Sequence, residues 1–360
     1  MTVFMFLLGL AGLVLGAELL VRGASRLGLA IGMSPLVIGL TIVAFGTSSP
    51  ELAVSIKAAL TDHPDIILGT CIGSSIFNIL FILGVSALIA PLVVSQQLIW
   101  YEVPIMIGAH LLLLAMCFDG KIDTIDAIIL IGGIVGYTIF AIRKGRRESK
   151  AITDEYEKAL PSEKMSGSKP LIICKQLGFI ITGLVLCVLG AGWLLDSSVV
   201  LARALGMSEL VIAMTIVAAG TSFPEVATSI VATIRGERDI AIGNVVGSNI
   251  FNILGIIGVA GFIAPGGIPI APSVLRIDLP IAIAACVACL PIFFSGHKIS
   301  RWEGILFLGY YAAYISYLIL AANGHDSLPM FSSIMMWIVI PLTLLTFVIM
   351  MYRTTRNHKF

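Results

Sequence analysis

Two glutamates, Glu51 and Glu225, stand near the middle of otherwise apolar segments. Each closes the same hydroxyl-bearing run, Gly-Thr-Ser-Ser-Pro-Glu from Gly46 and Gly-Thr-Ser-Phe-Pro-Glu from Gly220. An ionised side chain deep in an apolar span is unfavourable, so such a residue is expected to serve a function. Thr47 and Ser48 precede Glu51 by four and three residues, which on a roughly helical segment turns all three side chains to one side. Thr221, Ser222 and Glu225 repeat the arrangement. A second pair of segments adds Ser74 with Asn78 and Ser248 with Asn252, again at i, i+4.

The chemistry these residues suit is the holding of a hard cation. Pro50 and Pro224 each remove an N–H and press against the carbonyl four residues back, at Gly46 and Gly220. In hydrocarbon a released carbonyl needs a partner, so such a break is expected to line a cavity or touch an ion. Gly69 with Gly73 and Gly243 with Gly247 have the small-x-x-x-small spacing that lets a neighbouring helix approach closely. Carboxylates, hydroxyls, amide oxygens and backbone carbonyls make an all-oxygen cage. Calcium takes about six to eight such ligands, and sodium can be held by similar ones. Zinc, copper and iron are disfavoured for want of histidine or thiolate. Two negative charges match one Ca²⁺. Without a cation the two carboxylates would repel each other and take up a proton, so protons are expected to compete with calcium.

The elements that must position these residues are membrane helices. Of 360 residues, 58% are apolar and 12% charged, and the mean hydropathy is +1.04, which excludes a soluble domain. Windows of about 20 apolar residues, enough to cross roughly 30 Å of hydrocarbon, fall near 3–21, 36–60, 66–90, 98–118, 123–142, 171–195, 209–234, 240–264, 276–294, 303–322 and 333–352. The first reads as a retained helix, since it has no basic leader and no clear cleavage site. Residues 38–56 and 212–230 are identical at 13 of 19 positions, and the segments from Gly69 and Gly243 at 8 of 12, both at an offset of 174. The same offset aligns Gly32-Met33-Ser34 with Gly206-Met207-Ser208. Five spans per half is an odd number, so the halves must be inverted relative to one another.

The expected fold is therefore an all-α polytopic membrane protein. It has two inverted five-helix repeats, 1–142 and 171–322, with broken helices at the centre, a cytoplasmic linker at 143–170, and one extra C-terminal helix at 333–352. With the N-terminus outside, 18 basic residues fall on the inner side and 4 on the outer, which predicts a cytoplasmic C-terminus in a cell's plasma (inner) membrane. Glu18 and Asp196 lie near membrane edges and read as interfacial residues. Cys286 and Cys289 form a C-x-x-C inside the ninth span; with no second pair or histidine partner in sight, they read as small apolar packing residues. The linker is too short for a regulatory domain, and nothing points to nucleic acid, a cofactor or an obligate protein partner.

The paired GTS-x-PE and G-x-x-x-GS segments resemble the α-repeats of the cation/calcium exchanger superfamily, and specifically of the sodium/calcium exchangers. The resemblance is close over both repeats and looser over the remaining spans. It implies Ca²⁺/Na⁺ antiport by alternating access, with Glu51 and Glu225 carrying the charge. Thr47, Ser48, Ser74, Asn78, Thr221, Ser222, Ser248 and Asn252 would supply neutral oxygens, joined by the backbone carbonyls of Ala44 and Ala218. One departure matters: potassium-dependent relatives carry Asp where this chain has Asn252. The neutral amide argues against K⁺ co-transport and leaves the number of Na⁺ ions open. Three other readings compete: a Ca²⁺/H⁺ antiporter using the same cage, a passive channel, and an intramembrane hydrolase with Ser48 or Ser222 as nucleophile. The last lacks an embedded His or Lys to act as base beside either serine.

Overall fold

The computed structural model describes residues 2–61, 63–159, 169–205, 216, 218–294, 296–346 and 348. In chain order the long helices are α1 (Thr2–Ile31), the bent pair α2 (Pro35–Thr47) and α3 (Ser49–Leu60), α4 (Pro64–Ile89), α5 (Leu98–Asp119), α6 (Thr124–Ala159), α7 (Lys169–Ala204), α8 (Phe223–Ile234), α9 (Arg238–Ile263), α10 (Val274–Phe294), α11 (Arg301–Ala322) and α12 (Leu328–Thr346). Among the described residues nine helices are long and apolar enough to cross a membrane, and α2 with α3, bent by 45°, makes a tenth span. The span expected at 209–234 is described only at 216 and from 218 onward, where α8 forms its second half. Three elements run longer than expected: α1 reaches Ile31, α7 reaches Ala204, and α6 continues through the polar stretch as far as Ala159.

Local chemistry explains the boundaries. Gly32, at φ +68°, ends α1, Ser34 accepts the Val37 N–H at 3.4 Å, and Pro35 opens α2. The repeat's copy of this corner, Gly206-Met207-Ser208, lies outside the described residues. At the start of α11 a capping box joins Ser300 and Glu303.

The two halves are related by a two-fold exchange visible in single contacts. α1 and α7 cross so tightly that a Cβ on Gly9 would lie 2.6 Å from Leu194 N, and one on Gly183 would lie 2.6 Å from Leu20 N. Adding 174 to 9 and 20 gives 183 and 194, so each contact is the image of the other. Two short ribbons show the same exchange, at offsets of 176 and 177. The loop strand β1 (Leu92–Val93) pairs with β4 (Lys298–Ile299), and β2 (Lys121–Ile122) pairs with β3 (Ile268–Pro269). Each ribbon joins a loop of one half to a loop of the other.

The main apolar core runs through α4, α5, α9 and α10, while α1 and α7 contribute to two smaller clusters. The C-terminal helix stands apart from this core, with no buried residue between Leu328 and Val339. π-helical turns interrupt α4 at Asn78–Leu83 and α9 at Phe251–Ile257, and open α5 and α10 at Leu98–Glu102 and Val274–Asp278. Such turns are often found at functional sites; these four form repeat-related pairs, while the π-helical turn at Met335–Val339 in α12 lies outside the repeats.

Candidate cation site

The broken segments meet through serines that reach across to the other half. Ser48 stands between α2 and α3 at φ −81°, ψ 8°, and Ser222 stands before α8 at φ −90°, ψ 9°; neither hydroxyl caps its own helix. Ser48 Oγ donates to Glu225 Oε1 at 2.8 Å, and Ser222 Oγ donates to Glu51 Oε1 at 2.9 Å. The sequence reading turned each serine and its own glutamate to one side of a helical segment. The structure adds a partner that spacing could not show: each serine, standing at the break, donates to the carboxylate of the other half. Both glutamates are 1% exposed, and the crossed serine bonds bring their segments together. Each sits in the first turn of a twelve-residue helix, α3 or α8, where the positive end of the helix dipole favours a carboxylate.

The other expected oxygens gather around this pair. Ser222 Oγ also lies 3.0 Å from Ser74 Oγ. Thr221 stands beside Glu51, and Thr47 beside Glu225. The π-helical turn that begins at Asn78 packs against α8, and the one containing Asn252 packs against α3, so each asparagine is carried to the broken helix of the other half. In α9 a Cβ on Gly243 would meet Leu36 O at 2.8 Å, and one on Gly247 would meet Leu40 O at 2.5 Å. These glycines let α2 lie directly on α9 as their spacing predicts. The segment that should lie on Gly69 and Gly73 falls mostly outside the described residues.

The backbone carbonyls differ from expectation. Gly46 O accepts the Ser49 hydroxyl at 2.7 Å, so the carbonyl released by Pro50 is satisfied within its own segment. Phe223 holds the matching position in the second half and has no hydroxyl to offer. Ala44 O accepts the Ser48 N–H at 3.1 Å and the Thr47 hydroxyl at 3.4 Å. In the second half the Ser222 N–H goes to Ala219 O at 3.2 Å, three residues back, and not to Ala218, the repeat mate of Ala44.

Five site oxygens are buried without any hydrogen-bond partner: Glu51 Oε2, Glu225 Oε2, Asn78 Oδ1, Asn252 Oδ1 and Ser248 Oγ. A buried polar atom left unpaired costs about 1–3 kcal/mol, more when charged. Four of the five are carboxylate or amide oxygens that can only accept, and they come from both halves, which fits a bound cation.

Two asparagines in α9 were missed. Asn244 Oδ1 accepts the Thr47 hydroxyl at 3.0 Å, and its Nδ2 donates to Ser229 Oγ at 3.0 Å. Its signal was present, since Asn244, Ser248 and Asn252 form a polar stripe at steps of four. Asn249 is off that stripe, yet its Oδ1 accepts from Asn78 Nδ2 at 2.9 Å.

Glu18 lies apart from the site, ion-paired with Arg22 of its own helix and with Arg235 at the end of α8. The C-x-x-C does have a histidine nearby, contrary to the sequence reading. His110 of α5 comes within 3.8 Å of Cys286 Sγ, because α5 and α10 pack together. Its Nδ1 lies 2.8 Å from Met106 O. Among the described residues no three His, Cys, Asp or Glu side chains converge as a metal site.

Broken membrane helices from two inverted halves, closing on a buried cage of oxygens, define an ion transporter. The chain belongs to the sodium/calcium exchanger protein family, whose model matches residues 1–143 and 175–320. This makes it an antiporter and not an enzyme. It is 35% identical to the putative antiporter CaxA of Alkalimonas amylolytica, over 88% of this chain and 97% of that one. It is 33% identical to the inner membrane protein YrbG of Escherichia coli, over 87% and 95%, and 30% identical to the sodium/calcium exchanger MaX1 of Methanosarcina acetivorans, over 86% and 96%. Among solved structures it matches the sodium-calcium exchanger NCX_Mj soaked with 10 mM Na⁺ and zero Ca²⁺, with a TM-score of 0.73 and 31% identity over 88% of this chain and 98% of that one.

Proposed function

We propose that this protein exchanges Ca²⁺ for Na⁺ across the membrane by alternating access, both ions using the oxygens around Glu51 and Glu225. The observation that carries the reading is the set of unpartnered buried carboxylate and amide oxygens of Glu51, Glu225, Asn78 and Asn252, two from each half. Two carboxylates balance one Ca²⁺, and the hydroxyls of Thr47, Ser48, Ser74, Thr221, Ser222 and Ser248, with the amide oxygens of Asn78 and Asn252, complete the ligand set available to either ion. Ala44 and Ala218 would add backbone carbonyls. A relative named as a sodium/calcium exchanger and a solved exchanger soaked with Na⁺ support sodium as the counter-ion.

Exchange follows if the loaded site turns between the membrane faces while the empty, doubly charged one does not. An ion drives that change only through different affinities for the two states. On this reading 1–142 and 171–322 are the exchanging halves, 143–170 joins them, and 333–352 is accessory. The excess of basic residues on one side supports a plasma-membrane protein with its N-terminus outside.

The test is radioactive Ca²⁺ uptake into proteoliposomes under an outward Na⁺ gradient, compared with an outward H⁺ gradient at equal ionic strength. Acceleration by sodium is expected. Acceleration by protons alone would make the chain a Ca²⁺/H⁺ antiporter, and full flux with no counter-ion would make it a channel.

A further inference from the structure

Asn78 and Asn252 are repeat mates, both 1% exposed, and each keeps a carbonyl oxygen with no protein partner. Among the positions that differ between the two copies, one bears directly on these amides. Where the second half has Asn249, the first has Ser75, 174 residues earlier. Ser75 Oγ donates to Cys71 O of its own helix at 2.9 Å and so does not reach across. Asn249 has a longer side chain, is fully buried, and crosses to the other half.

The direction of each amide follows from an atom that can only accept. Asn249 Nδ2 donates to the backbone carbonyl of Ser75 at 3.3 Å, and it also lies 3.7 Å from Met106 Sδ. Turning this amide over would set oxygen against oxygen, so its Oδ1 must face the other way, toward Asn78. That oxygen accepts from Asn78 Nδ2 at 2.9 Å, which in turn fixes the Asn78 oxygen on the opposite side of its own amide. One backbone carbonyl thus sets two amides in series. Among the described residues the second half has no such relay onto Asn252, because Ser75 is short and bonded to its own helix.

We infer that Asn249 is a positioning residue, which holds the Asn78 amide with its oxygen toward the cation and so makes the two repeat-related asparagines unequal ligands. The inference rests on the cation site proposed above. Asn78 presents an oxygen held in one direction, whereas Asn252 receives no such bond from Ser75.

The experiment is a double-mutant cycle on the purified full-length protein, with Ca²⁺ binding read by calorimetry and Ca²⁺ uptake read as KM and maximal rate. Asn249→Ser, the residue of the other repeat, is read in parallel with Asn249→Ala, so that a variant that fails to fold does not decide the result. Loss of an orienting partner is expected to raise Kd and KM for Ca²⁺ by about tenfold or more, with the maximal rate little changed. Asn78→Ala should raise Kd at least as much, and adding Asn249→Ser to it should change Kd by less than about twofold, since the pair acts as one unit. Penalties that multiply, or a wild-type Kd in the Asn249 variants alone, would overturn the inference. A wild-type Kd in Asn78→Ala and Glu51→Gln as well would overturn the cation site together with it.

Discussion

Ser48 and Glu225 belong to opposite halves of the chain and share a hydrogen bond of 2.8 Å at the centre of the bundle; Ser222 and Glu51 repeat it at 2.9 Å. Each carboxylate therefore takes a hydroxyl from the broken segment of the other half. A relative movement of the halves must alter both bonds together, which ties the shape of the site to the arrangement of the repeats.

Removing either hydroxyl should weaken calcium binding. A hydrogen bond to a charged group contributes about 1.5–3 kcal/mol, so Ser48→Ala or Ser222→Ala should raise the Ca²⁺ Kd roughly 10- to 100-fold. Ser222→Ala should be the more severe, because Ser222 also contacts Ser74. Calorimetric titration of the purified variants checks both the size and the order.

Glu51→Gln and Glu225→Gln keep the shape of the site and remove one charge each. Exchange should fall below detection while both proteins still insert and elute as single species in detergent. Normal Ca²⁺ uptake by either variant would show that the paired carboxylates do not carry the ion.

Protons should compete with calcium at the same two carboxylates. Binding requires the ionised form, so acidification should raise the KM for Ca²⁺, and saturating Ca²⁺ should restore the maximal rate. Uptake measured as a function of both pH and Ca²⁺ distinguishes this competition from a loss of folded protein, which added calcium would not restore in full.

The neutral amide at Asn252 leaves the site without a third carboxylate. Sodium-driven uptake should therefore proceed at the same rate in K⁺ and in choline media. Stimulation by K⁺ would mean that the missing charge is supplied elsewhere in the bundle.

Gly247 should not tolerate even one methyl group. Its Cβ would lie 2.5 Å from Leu40 O and 2.8 Å from the Ala44 Cβ, both on the packed face of α2. Overpacking of this kind costs about 1–3 kcal/mol. Gly247→Ala should lower Tm in detergent and, by pushing α2 off α9, also weaken Ca²⁺ binding.

Much of this protein was legible in its sequence because duplication writes its evidence twice. Hydrophobic length set the spans, and the constant offset of 174 paired the halves. The odd number of spans per half required their inversion. Glu51, Glu225, Asn78 and Asn252 stood out because polar atoms in an apolar run need a reason to be there. The side chain of Asn244 could have been found by its spacing.

Sequence spacing is one-dimensional, however, and places a residue only relative to its own helix. That Ser48 serves Glu225 depended on the 45° bend between α2 and α3. The Gly46 carbonyl was taken up by Ser49, an outcome of local geometry that the proline by itself did not determine. His110 reached Cys286, and Asn249 reached Asn78, only because helices far apart in sequence pack side by side. The sequence by itself determined which groups must leave water and that they come in matched pairs; the tertiary structure decided which group satisfies which, because hydrogen bonds act over about 3 Å and only packing brings distant helices that close.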